Sequence, residues 1–270
     1  MNDYKLRECL PEDRAELTAL WHEIFGDPEG LILAFLQRLP SFGVGVVAEL
    51  EGRTVGAAYA IDGMHIVDGK GRERRCGYVY AVAVSPEHRH QGLGAALSQK
   101  AAELSRSRGS RLICTLPAEE SLYPWYEKIL DVSCALHRRN FTAQAMPLLP
   151  CRELGSEEYL ILREELLRGQ PHMRPSPELM DFAQLFYHSF GGGLYLCGGG
   201  LCAAYGDDEL VIRELVATDG VSPADMSASL AASLGREKVR YYLPSASGEM
   251  YISAPAGELP ADLVWNLSFD

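Results

Sequence analysis

Between positions 11 and 25 apolar residues recur every three to four places, with Leu17, Leu20, Trp21 and Phe25 on one face. That is the spacing of a helix with one buried stripe. Pro11-Glu12-Asp13 suits its start, and Gly26 with Pro28 its stop. A second helix is expected over 31–39. The pattern then turns to β-branched and alternating residues, and strands are expected over 44–51 and 54–61, joined by a tight turn at Glu51-Gly52-Arg53. Residues 64–67 continue that strand or add another, ahead of an Asp68-Gly69-Lys70-Gly71 loop. A strand over 77–84, an Ala/Leu-rich helix over 93–107, a strand over 111–116, a helix near 120–129 and one or two strands over 132–142 follow. Helices, then strands, then a strand–helix–strand crossover predict an α/β (α+β) domain with a central mixed sheet, ending near residue 145.

The second half repeats the first in outline. Ser41-Phe42-Gly43 recurs as Ser189-Phe190-Gly191, Ala57-Ala58-Tyr59 as Ala203-Ala204-Tyr205, and Leu116-Pro117 as Leu243-Pro244, in the same order. The opening RECLPEDRAEL also resembles CRELGSEEYLIL after the start of the second half. This ordered recurrence favours a degenerate duplication, with domains over 1–145 and 151–270 and a linker over 143–157 carrying Pro147 and Pro150. The second copy is shortened: positions 204 and 243 lie 39 apart, where positions 58 and 116 lie 58 apart.

A net charge of −12 argues against nucleic acid as the main partner, which requires a basic face. It is compatible with attracting a cationic amine. The seven cysteines form no C-x-x-C pair and several lie in apolar runs, so they read as reduced core residues of a cytoplasmic protein. The histidines show no metal-ligand spacing, and neither a signal-peptide core nor an 18-residue apolar run is present, so no metal and no membrane are expected.

The chemistry concentrates at 82–97, VAVSPEHRHQGLGAAL. A strand runs through Ser85-Pro86 into Arg89-His90-Gln91-Gly92-Leu93-Gly94 and then a helix. That places backbone N–H groups and a positive helix end around one point, an arrangement that binds phosphate or pyrophosphate. Gly92 and Gly94 let the backbone approach the anion, and Arg89 adds a charge-assisted contact. The dinucleotide fingerprint is excluded because Ala95-Ala96-Leu97 follows Gly94, and no Walker lysine is present. In the second half, the corresponding Thr218-Asp219-Gly220-Val221-Ser222-Pro223 has no such turn, and Asp219 would repel a pyrophosphate.

Val82, Val84, Pro86, Arg89, Gly92 and Gly94 fit V-x-V-x-P-x-x-R-x-x-G-x-G, and in this the chain resembles the GNAT superfamily of N-acetyltransferases. The resemblance implies a GNAT fold followed by a shortened, degenerate GNAT-like domain. The cofactor it implies is acetyl-CoA, with the pantetheine arm along Val82, Ala83 and Val84. The pyrophosphate would then lie within Arg89, His90, Gln91, Gly92, Leu93, Gly94 and Ala95. It further implies acetyl transfer to a primary amine of a small molecule or peptide, and it leaves a homo-oligomer open. Family members often use a tyrosine in Y-x-K-x-G-F as the acid that protonates the departing thiolate. Tyr126 and Lys128 match, Leu130 and Asp131 depart, and Tyr123 is the neighbouring alternative. No general base stands out among Glu119, Glu120, His65, Asp62 and His22. The two-domain arrangement is similar to the enhanced-intracellular-survival group of acetyltransferases. In larger members of that group the C-terminal carboxylate enters the site, a device that Asp270 would supply here. The alternative reading is a non-catalytic acyl-CoA-binding regulatory module.

Overall fold

The computed structural model describes residues 4–260, 262–265, 267 and 269. Asp270 lies outside them. The chain elements are β1 (Lys5–Glu8), α1 (Arg14–Phe25), α2 (Glu29–Phe42), β2 (Gly43–Leu50), β3 (Arg53–Val67), β4 (Glu73–Val84), α3 (Leu93–Ser107), β5 (Leu112–Thr115), α4 (Tyr123–Leu130) and β6 (Ser133–Gln144). After these come β7 (Cys151–Glu153), α5 (Ser156–Leu166), β8 (His172–Pro175), α6 (Pro177–Ser189), β9 (Gly193–Cys197), β10 (Gly200–Tyr205), β11 (Leu210–Val216), α7 (Pro223–Ser233), β12 (Lys238–Ser245) and β13 (Glu249–Ala254). The architecture is mixed α/β, as the alternation of periods predicts.

Two compact units share these elements: 1–66, 73–135 and 251–259 form the first, and 67–72, 136–250 and 260–270 the second. The expected boundaries at 145 and 151 differ from this division, because 136–145 groups with the second unit and 251–259 returns to the first. In the first unit β1, β2, β3, β4, β5 and β13 lie in that order in the sheet, with β4 and β5 parallel and β5 antiparallel to β13. β5 would otherwise present an unpaired edge, and the returning strand covers it. In the second unit the order is β7, β9, β10, β11, β12 and β6, with β11 and β12 parallel and β6 antiparallel to β12. The first unit therefore takes β13 from far along the sequence, and the second takes β6 from within the expected first domain.

The first unit buries α3 on β2 and β3 through Leu93, Leu97, Ala101, Val44, Val46, Ala48, Val55, Ala58 and Ala60. Alanines on both partners let the helix lie close to the sheet. Gly77 admits the Ser105 hydroxyl where a Cβ would collide with it. On the α1 and α2 side, Trp21, Phe35 and Tyr59 interlock with centroid separations of 5.1 to 5.3 Å. Phe25, expected on the buried face of α1, is instead 44% exposed, since it sits in the last turn. The second unit packs α7 on β9 to β12 through Met226, Leu230, Ala231, Leu210, Ile212 and Val239.

One cysteine reading is corrected. Cys151 and Cys197 are directly opposite on β7 and β9 and are joined as a disulfide. Their separation of 46 in sequence hid this, because register between distant strands is a tertiary property. Cys76, Cys114 and Cys202 are buried thiols, as the apolar runs suggested.

Candidate functional site

β4 pairs with β5 from Cys76 opposite Leu112 to Val79 opposite Thr115, where β5 ends. β4 continues to Val84, so its last five residues extend beyond that ladder. Ala81 lies in this extension with φ of 46°, a left-handed conformation that disfavours any residue with a Cβ by about 1–2 kcal/mol. Such a kink swings the following residues away from the regular ladder. Ala83 is buried, and Val82 and Val84 are half-buried. The N–H of Ser85 reaches back to the Val55 carbonyl at 3.0 Å, fixing the strand exit.

Pro86–His88 forms one 3-10 turn, and His90 (φ 60°) and Gly92 (φ 80°) then alternate through left-handed backbone. Gly92 is the N-cap of α3 and supplies no capping side chain; the first turn of α3 carries no acidic residue. The N–H of Ala96 bonds Gly92 O, leaving those of Leu93, Gly94 and Ala95 at the helix start with no intrahelical acceptor. Together they make a concave, electropositive backbone surface. Arg89 lies at its rim with Nε donating to Val84 O at 3.0 Å, so its guanidinium also ties the turn to the strand end. Gln91 accepts from the Tyr4 hydroxyl at 2.7 Å. Gly92 requires glycine for its backbone angle. The nearest atoms to a Cβ at Gly94 would be those of Trp125 and Val84 at 3.7–3.8 Å, an ordinary contact, so protein packing leaves room for a methyl at Gly94.

Trp125 connects this turn to Tyr126, its ring edge-on to the tyrosine at 4.7 Å. Tyr126 is 8% exposed and packs with Val79, Ala102, Ile113, Leu130 and Val132. Burial pushes its phenol up to about 12, opposed by a hydrogen bond with the Thr115 hydroxyl. Thr115 Oγ1 donates to Val79 O at 3.1 Å. Tyr126 thus stands at the place where β4 and β5 cease to pair. Tyr123 is also buried. Leu130, standing where the family pattern has glycine, is the buried last residue of α4, and Asp131, at the phenylalanine position, takes φ of 55° as its C-cap.

The base candidates scatter. Asp62 is buried at the far end of α3, held by Ser105, by Ser110 and by Arg108 Nε at 3.0 Å. A 15-residue helix spans about 22 Å, so this carboxylate is remote from the turn. His65 is 3.8 Å from Glu73, and the His22 ring is bonded to Asp27 O. Glu119 accepts from Ser121, and both Glu119 and Glu120 are exposed. Thr115 and Trp125 were not singled out from sequence; Thr115 is legible only once β5 is known to end on it.

The second unit differs at both equivalent places. Ser222 caps α7 with its own hydroxyl, accepting from Ala224 N, and Asp225 adds an acid to the first turn. Past the end of the β11–β12 ladder, the Tyr242 ring lies 4.7 Å from the Arg213 guanidinium and 4.6 Å from that of Arg138. Among the described residues no cluster of three His, Cys, Asp or Glu side chains could hold a metal, and no helix is long and apolar enough to cross a membrane.

Residues 7–131 match the acetyltransferase (GNAT) family model. No curated protein sequence matches the chain. Similar solved structures include a GCN5-related N-acetyltransferase from Kribbella flavida, 19% identical with TM-score 0.67, over 93% of this chain and 71% of that one. Eis1 from Mycobacterium abscessus is 14% identical with TM-score 0.62, over 92% and 73%. A putative acetyltransferase from Pyrococcus horikoshii is 13% identical with TM-score 0.65, over 100% and 94%. These likenesses are of fold.

Proposed function

We propose that this chain, whose residues 7–131 match the GNAT acetyltransferase family model, is an acetyl-CoA-dependent N-acetyltransferase acting on a primary amine of a small molecule or peptide. The observation that carries this reading is the uncapped start of α3 beside the end of β4 that runs past its ladder with β5. In it, the N–H groups at Leu93, Gly94 and Ala95 and the turn from Arg89 to Gly92 hold the pyrophosphate. The pantetheine amides add to β4 at Val82, Ala83 and Val84 as an extra strand would. Acetyl-CoA supplies the activated acyl group when bound.

Tyr126 is the acid. Its position where β4 and β5 cease to pair supports this role beside the thioester sulfur of such a ligand, and burial, which raises its phenol to about 12, favours the protonated form. The amine attacks as the free base. A lysine-like amine is about 10³-fold protonated at pH 7, so the site favours an acceptor that loses its proton to solvent or to a water-bridged group. No single carboxylate or histidine is assigned as base. We read the second unit as a degenerate copy without cofactor. Its element order and parallel β11–β12 crossover support this, as do the self-capped α7 and the Arg213–Tyr242 stack in place of an open slot. The expectation of a cytoplasmic protein rested partly on reduced cysteines, and the Cys151–Cys197 bond removes that part of its support.

Isothermal titration of acetyl-CoA into the whole chain is the direct test, expected to give one micromolar site per chain that Gly92→Glu/Gly94→Glu abolishes. Binding with no release of CoA thiol across a panel of amines would favour the non-catalytic acyl-CoA-binding module. No binding would refute both readings.

A further inference from the structure

Ser253 reaches the first unit from 138 positions beyond the residue it faces. It is paired with Thr115 across β5 and β13, the single register pair between those strands. Directly opposite residues of an antiparallel pair put their side chains on the same face, with Cβ atoms about 5 Å apart. Ser253 is 0% exposed and Thr115 1%. The Ser253 hydroxyl is buried with no hydrogen-bond partner. Buried polar groups are nearly always paired, because desolvation is otherwise uncompensated, and an exception beside a catalytic candidate calls for a partner in another state of the site.

We propose that Ser253 is a positioning residue for acyl transfer: its hydroxyl donates to Thr115 Oγ1 when Thr115 turns to hold the Tyr126 oxygen. This rests on Tyr126 being the acid, as proposed above. A hydroxyl has one proton and two lone pairs. In the resting arrangement the Thr115 proton is on Val79 O and the same hydroxyl is bonded to Tyr126. When the amine displaces CoA, the acyl carbon–sulfur bond breaks and the sulfur leaves with the electron pair. The Tyr126 O–H breaks, an S–H forms and a phenolate remains, later reprotonated through solvent by the proton shed from the acetylated nitrogen. During that interval the phenolate needs donors. Thr115 supplies one by rotating away from Val79 O, and Ser253, free to rotate, donates to the oxygen that Thr115 now presents.

The acidity of Tyr126 supports the need. A phenol near 12 would protonate a thiolate of ordinary thiol acidity, near 8.5, only against a factor of about 10³. Donors to the phenolate reduce that gap. The proposal also gives β13 a role beyond closing a sheet edge: the strand carries the hydroxyl that the segment 7–131 does not contain.

The test uses the whole chain as Ser253→Ala, Ser253→Thr and Tyr126→Phe. CoA release with the best primary amine of a panel is followed over pH 6–10, alongside acetyl-CoA titration and thermal melting. Ser253→Ala is expected to lower kcat about tenfold with acetyl-CoA affinity within twofold. Ser253→Thr, which keeps the hydroxyl, should recover to within threefold of the unaltered chain. Ser253→Ala staying within twofold at every pH overturns the proposal. So does Ser253→Thr falling as far as Ser253→Ala with both melting lower, since the serine would then serve packing alone. Full turnover in Tyr126→Phe, or none in the unaltered chain, removes the acid and this proposal with it, while the acetyl-CoA titration still reads the α3 site independently.

Discussion

Arg163 and Glu214 form a two-point ion pair between α5 and β11 in which neither side chain has any exposure. Nε donates to both carboxylate oxygens at 3.0–3.1 Å and Nη2 to Oε1 at 2.9 Å. Tyr159 donates its hydroxyl to the same carboxylate at 2.9 Å, and Glu164 joins the far side of the guanidinium to His172. With its lone pairs satisfied in this way, the carboxylate is tolerated inside the second unit's core.

Removing one member of that pair strands the other. Arg163→Met or Glu214→Leu alone should destabilise the second unit by about 3–5 kcal/mol, while the double change should be near neutral. Urea unfolding of the three variants checks this. Two single-variant losses that simply add in the double variant would mean that the pair is not coupled.

The two glycines of the turn separate stability from binding. Gly92→Ala meets no atom within 4 Å but forces φ of 80° on a residue with a Cβ, for a loss of about 1–2 kcal/mol in stability. Gly94→Ala, near the start of α3, should leave melting unchanged or slightly raised. It should nonetheless weaken acetyl-CoA binding, because the methyl enters the space over the turn. Calorimetry of binding beside thermal melting distinguishes them.

Asp13 makes the first unit acid-sensitive. The Arg7 guanidinium grips both its oxygens at 2.7 and 2.8 Å, and Leu10 N donates at 2.7 Å, so its carboxyl is held below the usual range, chiefly by Arg7. A depressed carboxyl stabilises the fold fully above its unfolded pKa, near 3.9, and loses that contribution as pH falls through the lower folded value. Asp13→Asn should therefore cost stability at pH 6 and progressively less below pH 4. Denaturant titrations from pH 2.5 to 7 on both proteins measure the difference.

The Cys151–Cys197 bond closes a loop of 46 residues. Loop-closure entropy assigns it about 4 kcal/mol, with 2–4 typical of measured cases. Dithiothreitol should lower the second unit's unfolding midpoint, and Cys151→Ala/Cys197→Ala should lower it without further response to reductant. A chain indifferent to reductant would show that the bond contributes nothing.

Much of the first unit was readable because its signals are local. The helix over 93–107 is observed as Leu93–Ser107, since the glycine at its start and its 3.6-residue stripe are both local signals. The Glu51-Gly52 hairpin was equally plain, with both residues at positive φ. Residues 64–67 proved to continue β3 rather than add a strand. The anion-binding turn could be anticipated from six residues within thirteen positions, because a strand exit, a left-handed glycine and a helix start are all short-range geometry.

What tertiary structure decided is who faces whom. Every β-strand edge offers the same backbone N–H and C=O groups, so nothing within β5 or β13 says that Ser253 lies opposite Thr115, or within β7 and β9 that Cys151 meets Cys197. The fate of Asp62, a candidate base in sequence and a buried structural group at the far end of α3, followed from the packing of Ser105 and Arg108 against it. Local propensity determined the elements and the phosphate turn. Register and burial, set by long-range closure of the sheets, determined which hydroxyls, thiols and carboxylates share a site.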